Sequence, residues 1–188
     1  MKNKVQKGAI GYLAYKRKAT IIITILMYAI SIGLYITGYV TTKSNANVLT
    51  VVAILGCLPA SKSAVSMIMY LKAKGCSEDD SKVIDSAIGT LDGYYDMYFT
   101  GYQKNFPISH LVVTKNAIIA YSSDEKITDK DFSEHMKDLL NKERIHDITV
   151  KLFKDLDKYK NRLQELNQSE ADTSARMDIV SMLMNVSL

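Results

Sequence analysis

No aspartate or glutamate occurs in the first 77 residues of this 188-residue chain, and all 20 acidic side chains fall between Glu78 and Asp178. Those 77 residues carry 10 Lys and Arg against 14 in the remainder, so the two parts have formal charges of +10 and −6. An imbalance this sharp separates a chain into parts with different surroundings. It also removes the nucleic-acid reading of a pI near 8.9. The positive charge flanks apolar runs, and the acidic part repels phosphate backbones on average. Cysteine is scarce: Cys57 and Cys76 make no C-x-x-C and no metal spacing, which leaves two reduced thiols and no disulfide framework. Catalytic motifs are missing too. There is no Gly-rich phosphate loop, no nucleophile elbow, no H-E-x-x-H and no helical repeat of about 34 residues. His110, His135 and His146 stand apart without ligand spacing. The expectation is a chain with no metal and no cofactor.

What the acid-free part does have is apolar length. Ala19 to Tyr39 is uncharged, and as a helix this run spans about 31 Å, enough for a hydrocarbon core of roughly 30 Å. Thr41 to Asn47 is a polar turn, and a second apolar run extends from Val48 to Leu71. The expected organisation is a basic interfacial segment over 1–18 and a two-helix transmembrane hairpin over 19–74, with spans at about 19–40 and 48–71. An acidic α/β domain follows over 75–188. A cleaved signal peptide competes for the first run, but that run is about twice the usual length and a second follows at once.

Basic residues orient the hairpin. Lys2, Lys4, Lys7, Lys16, Arg17 and Lys18 precede the first span, Lys72 and Lys74 follow the second, and only Lys43 lies in the loop. Both termini are therefore expected on the cytoplasmic side of the cell membrane. Lys16, Arg17, Lys18, Lys72 and Lys74 would meet anionic lipid head groups, at about 1 kcal/mol each. Lys62 lies inside the second span, where it either snorkels to the interface or holds a buried partner or head group. Pro59 should kink that helix, with Ser61 and Ser63 placed to take up freed carbonyls. Small residues spaced by four, Ala29 and Gly33 on one span and Gly56, Ala60 and Ala64 on the other, permit close packing. That packing lies either within the hairpin or between protomers of a homo-oligomer. Ahead of the first span, Gly8 to Tyr15 reads as an interfacial segment with Tyr12 and Tyr15 at head-group level.

In the acidic part, Ser77 or Asp80 caps a predicted helix over about Ser81 to Tyr102, because Ile84, Ile88, Leu91, Tyr95, Tyr98 and Tyr102 recur every three or four residues. Gly89 and Gly93 interrupt it, so either another backbone crosses there or the helix breaks. With Tyr94, Tyr98 and Tyr102 they form a candidate interaction surface; the competing reading is an aromatic core with hydroxyls at its rim. His110 to Thr114 and Ala117 to Tyr121 flank Lys115-Asn116 as a tight hairpin. Thr128-x-x-Asp131 resembles a capping box for a helix over about Lys130 to Leu140. A third strand is predicted over Asp147 to Phe153, then helices over Leu156 to Asn167 and Met177 to Met184. The fold class is thus an α-helical transmembrane hairpin followed by a small α/β cytoplasmic domain of order α-β-β-α-β-α-α. The acids Asp124, Glu125, Asp129 and Asp131 read as a solvated loop, or as a weak cation site without EF-hand spacing.

That order, with Lys115-Asn116-Ala117-Ile118-Ile119 opening the second hairpin strand, resembles the restriction-endonuclease-like fold in topology over about 70 residues. The family's metal-binding acid would fall near Ser109-His110 and its E-x-K on Ala120-Tyr121-Ser122, and neither position matches. The resemblance therefore implies a fold without that catalysis. The whole chain, from the Met1-Lys-Asn-Lys-Val-Gln-Lys-Gly8 opening through Gly56-Cys57-Leu58-Pro59-Ala60, is similar to a group of bacterial two-span membrane proteins of uncharacterised function. Some of these are labelled "O-linked GlcNAc transferase-like"; no glycosyltransferase nucleotide site is present, so that activity is not implied. The function expected is a non-enzymatic membrane-anchored scaffold or regulatory module, a homo-oligomer without a nucleic-acid partner. The competing expectations are a membrane-tethered hydrolase or transferase using the Tyr94–Tyr102 cluster and the Asp124–Asp131 acids, or a small pore lined by Lys62.

Overall fold

A computed structural model describes residues 5–102, 104–168 and 175–188. Lys2 and Lys4 of the basic N-terminal segment, and the polar stretch after Gln168, lie outside the described residues. The chain divides into two compact units, one formed by Met1–Leu13 with Lys74–Leu188 and the other by Ala14–Ala73.

The second unit is a helical hairpin. Helix α1 runs over Tyr12–Thr42 and α2 over Val48–Lys72. Both are long and apolar enough to cross a membrane, and only 11% of the most apolar stretch of each is buried. The turn is built by Asn47, whose Oδ1 accepts the Thr50 N–H at 2.8 Å while its Nδ2 donates to Ser44 O at 2.7 Å. Pro59 lies inside α2. The Ser61 hydroxyl bonds back to Cys57 O at 2.8 Å. Ser63, expected to take up a freed carbonyl, reaches across to Thr24, with 2.8 Å between the hydroxyl oxygens.

The seam between the helices differs from the expected one. On α1 the buried row is Thr24, Ser31 and Gly38, seven residues apart. Opposite it lie buried Ala53 and Ala60, with Gly56 and Ser63 beside them. A side chain on Gly56 would come within 2.9 Å of Ser31 Oγ. A seven-residue period keeps one face of a helix against its neighbour when the pair winds left-handedly. Small residues on that row let the backbones close up. Ala29 and Gly33 lie off the seam: both are exposed, and nothing lies within 4 Å of the Cβ position of Gly33. Ala64 is half-buried. Ala60→Leu should therefore lower the thermal midpoint of helical circular dichroism in detergent, and by more than Gly33→Leu does.

The first unit carries α3 (Glu78–Ile88), β1 (Gly93–Thr100), β2 (Asn105–Val113), β3 (Ala117–Tyr121), α4 (Asp129–Lys142), β4 (Thr149–Phe153), α5 (Leu156–Gln168) and α6 (Met177–Val186). The sheet order is β1-β2-β3-β4. The first two pairings are antiparallel and β3–β4 is parallel, with α4 as the crossover that a parallel pair requires. One core, with Phe99, Phe106, Ile108, Leu111, Phe132, Met136 and Ile179, lies on the α4 and α6 side. The other, with Ile84, Ala87, Val112, Ile119, Tyr159 and Leu163, lies on the α3 and α5 side.

The domain order is α-β-β-β-α-β-α-α, one strand more than the sequence suggested. The predicted helix to Tyr102 ends at Ile88. Ser77 caps its start through the Asp80 N–H at 3.1 Å, and Gly89 ends it at φ 57°, ψ −119°, a backbone only glycine adopts readily. The three- and four-residue spacing of Leu91, Tyr95 and Tyr98 survives in a strand because β1 does not alternate. Asp96 sits at φ 54°. Tyr95 therefore packs toward the α3–α5 core while Met97 and Phe99 join the other. Strand β2 makes the matching change between Ile108 and Leu111. Pro107 also hid the first half of β2. It is tolerated because β3 pairs only with His110 to Val113, so Pro107 faces β1 alone.

Elsewhere the local signals agree with the structure. Thr128 Oγ1 accepts the Asp131 N–H at 3.1 Å, and Thr114 closes the β2–β3 turn on Ala117 at 2.8 Å. Of the segment expected at a membrane interface, Gly8 lies along β1, its carbonyl accepting the Tyr95 N–H at 2.7 Å, and Tyr12 to Tyr15 form the first turn of α1.

Candidate functional site

The five residues of the candidate interaction surface do not share a face. Gly89 ends α3 beneath Asn167 of α5, whose Oδ1 would lie 2.6 Å from an added Cβ. The Asn167 amide there donates to Ala87 O, Ile88 O and Leu163 O. Gly93 opens β1, where a Cβ would meet Ile88 Cδ1 at 2.3 Å and His110 Nε2 at 2.4 Å. Tyr98 is buried, Tyr94 half-buried, and Tyr102 fully exposed on the β1–β2 turn. Both glycines thus serve internal packing, the first because the helix stops and a side chain fills the space it leaves. Of the cations, Lys18, Lys62, Lys72 and Lys74 are exposed, and Lys16 and Arg17 are partly so.

The densest polar chemistry lies under α3 and α5, and no local motif announces it. His110 on β2 is fully buried. Its Nδ1 is 2.6 Å from the Tyr159 hydroxyl of α5, and the Tyr95 ring tilts against it with centroids 4.4 Å apart. Tyr159 stacks in turn on Tyr121 at 5.6 Å. Two carboxylates of α3 close the rim, Asp85 accepting from Tyr95 at 2.5 Å and Asp80 from Tyr121 at 3.0 Å. Helices α3 and α5 are thereby tied to three strands by phenol and imidazole groups that reach their partners only in the fold. The signal that could have found it is the three-strand register, which sets Tyr95 beside His110 and His110 beside Tyr121.

Every perturbed group in this layer is pushed away from reactivity. Burial lowers the His110 imidazole to about 3, with a small opposing pull from Asp85, so it stays neutral. Its Nε2 has no hydrogen-bond partner among the described residues. Burial, then the hydrogen bond to Asp85, raises the Tyr95 phenol, and Tyr121 behaves likewise with Asp80. Burial, then Asp80, Asp96 and Asp85, pushes the Cys76 thiol up to about 12, which leaves almost no thiolate at neutral pH. A general base works near the operating pH and a nucleophile needs a lowered pKa. His110 is lowered far below that range and the Cys76 thiol is raised rather than lowered.

The other polar residues are dispersed. Tyr102 and Asp131 do come together, in an open concavity at the β1–β2 turn with Lys104, Glu134, His135 and Asp138. Lys104 pairs with Asp131 at 2.7 Å, and His135 stacks on Phe106 at 4.8 Å. Asp129 faces elsewhere, its carboxylate accepting the Leu152 N–H of β4 at 2.6 Å. Asp124 turns its own loop through Lys126 N, and Glu125 lends its carbonyl to Lys154. His146 is exposed beyond α4. Among the described residues no three His, Cys, Asp or Glu side chains are grouped to hold a metal ion.

In comparisons with family models, with curated proteins and with solved structures, nothing matches this chain.

The buried imidazole sets a pH dependence whose sign is fixed. Above the ordinary histidine value of 6.5, both folded and unfolded chains hold His110 neutral. Below it the unfolded chain takes a proton that the fold refuses until about 3, so stability is lost as pH falls through that window, by up to about 5 kcal/mol. Denaturant midpoints measured from pH 7 to 4 should fall in the native protein, and His110→Gln should flatten that part of the profile.

Proposed function

We propose that this chain is a membrane-anchored, non-enzymatic scaffold or regulatory protein. The hairpin holds the acidic α/β domain on the cytoplasmic side of the cell membrane, with both chain ends on that side, and hairpins associate in a homo-oligomer. What supports this is the pairing of two long, apolar, uncovered helices with a domain whose buried polar groups are held unreactive. Ile22, Ile25, Leu26, Ile32 and Ile36 on α1 and Val51, Ile54, Leu55 and Leu58 on α2 are exposed. Leaving such side chains in water costs about 1.5–3 kcal/mol each relative to burial, and a bilayer removes that cost. Lys16, Arg17, Lys18, Lys72 and Lys74 then sit where anionic head groups would be, and the short loop with Lys43 alone faces out. Ala29 and Gly33, off the hairpin seam, give a second copy a close approach to α1.

Under the resemblance to the restriction-endonuclease-like fold, the family's site positions would fall on β2 and β3. The order α-β-β-β-α-β sets side by side the two strands that would carry that family's acid and E-x-K. In this chain the paired positions are His110 and Tyr121, closed over by Tyr159 and Asp80. On that resemblance the space for a metal and a water is filled by a phenol–imidazole layer, and the core serves as a platform.

Two measurements test the proposal. In intact cells, with Cys57 and Cys76 replaced, Ser44→Cys should react with a membrane-impermeant maleimide while Asp124→Cys reacts only after permeabilisation; the reverse pattern rejects the orientation. Native mass spectrometry in mild detergent should show a homo-oligomer that Gly33→Leu shifts toward monomer. A wild-type monomer at every concentration overturns the association.

A further inference from the structure

Asp96 lies in the middle of β1, is almost fully buried, and has a left-handed backbone at φ 54°. Its carboxylate faces main-chain donors from two directions. Oδ1 accepts the Cys76 N–H at 2.8 Å and Oδ2 the Leu13 N–H at 3.4 Å, and the Gly11 and Tyr12 backbone beside it also pulls its pKa down against burial. The fit depends on a missing side chain, because a Cβ on Gly75 would lie 2.7 Å from Asp96 Oδ1. Between Leu13 and Cys76 the chain makes its whole excursion through Ala14–Ala73. One carboxylate therefore holds the segment from which the hairpin departs and the segment to which it returns.

We propose that Asp96 is a latch that joins these two segments and passes a change in either one to β1 through its own left-handed backbone. A non-glycine residue at positive φ persists only when its surroundings hold it there, and here the Leu13 and Cys76 amides help to do so. The kink sets Tyr95 against His110 and Asp85 while Met97 enters the opposite core. Once the amides withdraw, only the matching change of face in β2 and the packing of Tyr95 and Met97 still hold the kink, and a regular strand would turn Tyr95 and Met97 to one face. The two arrangements of β1 thus differ in whether the Tyr95–His110–Asp85 contacts exist, which makes a discrete two-state element. The latch does not depend on what surrounds the hairpin.

Hydrogen exchange read by mass spectrometry on the full chain in detergent tests this. Asparagine tolerates positive φ, so Asp96→Asn removes the charge without forbidding the kink. It should speed exchange at least tenfold in peptides covering Gly11 to Leu13, Cys76 and Tyr94 to Tyr98, and leave α4 as in the native protein. Gly75→Ala, which crowds the carboxylate without altering Asp96, should give the same pattern. Thr24→Val, which removes the hydroxyl bond inside the hairpin, should speed exchange in β1 at least threefold when Asp96 is present and have no effect in the Asp96→Asn background. Unchanged exchange at Gly11 to Leu13 and Cys76 in both latch variants overturns the proposal. So does an even rise across the domain including α4, or a Thr24→Val effect on β1 that is nil or equal in the two backgrounds.

Discussion

A four-stranded sheet leaves two rows of backbone amides and carbonyls without strand partners, and much of this domain is arranged to satisfy them. Unpaired buried groups cost as much as lost hydrogen bonds, and open edges recruit other chains. On β1 the Tyr95 N–H finds Gly8 O and Tyr98 O accepts the Leu188 N–H at 2.9 Å. On β4 the Leu152 N–H goes to the Asp129 carboxylate, and the Ser133 hydroxyl donates to Val150 O at 3.1 Å. Asp129 and Ser133 both stand at the start of α4, so the crossover helix seals the edge it has just reached. The first and last described segments seal the other. Lys7 adds a further tie by donating to Met184 O and Ser187 O at the end of α6, where helix carbonyls have no partners of their own.

The same chain shows which features a sequence exposes. The second hairpin helix, the Ser77 and Thr128 caps, the β2–β3 turn, β4, α5 and α6 rest on local periodicity and capping chemistry and stand within a few residues of where the sequence puts them, whereas α1 begins at Tyr12, ahead of the apolar run. β1 was hidden by a local feature with a distant cause. Asp96 takes positive φ with the Leu13 and Cys76 amides drawing its carboxylate inward, and nothing near residue 96 announces it. The resulting flip of faces gives a strand the spacing of a helix, and Gly89 and Gly93 look like flaws in that helix when one ends α3 and the other clears room for His110. The seam of the hairpin was missed for a different reason. Small residues spaced by four mark one face, whereas the helices meet along Thr24, Ser31 and Gly38, spaced by seven and with two polar members. The candidate surface of Gly89, Gly93, Tyr94, Tyr98 and Tyr102 dispersed once β1 became a strand, and the buried layer around His110 depends on strand register that no single segment encodes.

Burial decides the chemical character of that layer. An imidazole, three phenols, two carboxylates and a thiol lie close together, a composition that elsewhere supports catalysis. Here desolvation dominates the imidazole, the phenols and the thiol, and holds each in its neutral form. Asp96 follows the same rule, since desolvation raises its pKa against the lowering effect of the backbone around it. Groups so arranged specify geometry: a phenol that must find one carboxylate or one imidazole nitrogen fixes a helix on a sheet more narrowly than apolar contact alone.

The cover of β1 has a consequence for how the chain acquires its structure. Lys7 meets Ser187, 180 residues away, and the whole hairpin lies between them in sequence. The domain is discontinuous: its first-made piece must be kept unpaired while the hairpin is synthesised, it meets its first partners when β1 emerges, and the Lys7 tie closes only when α6 follows. Contacts this distant in sequence form late, because loop closure precedes any gain from them. Synthesis direction thus imposes an order in which the hairpin is committed before the domain can close on the segment that preceded it.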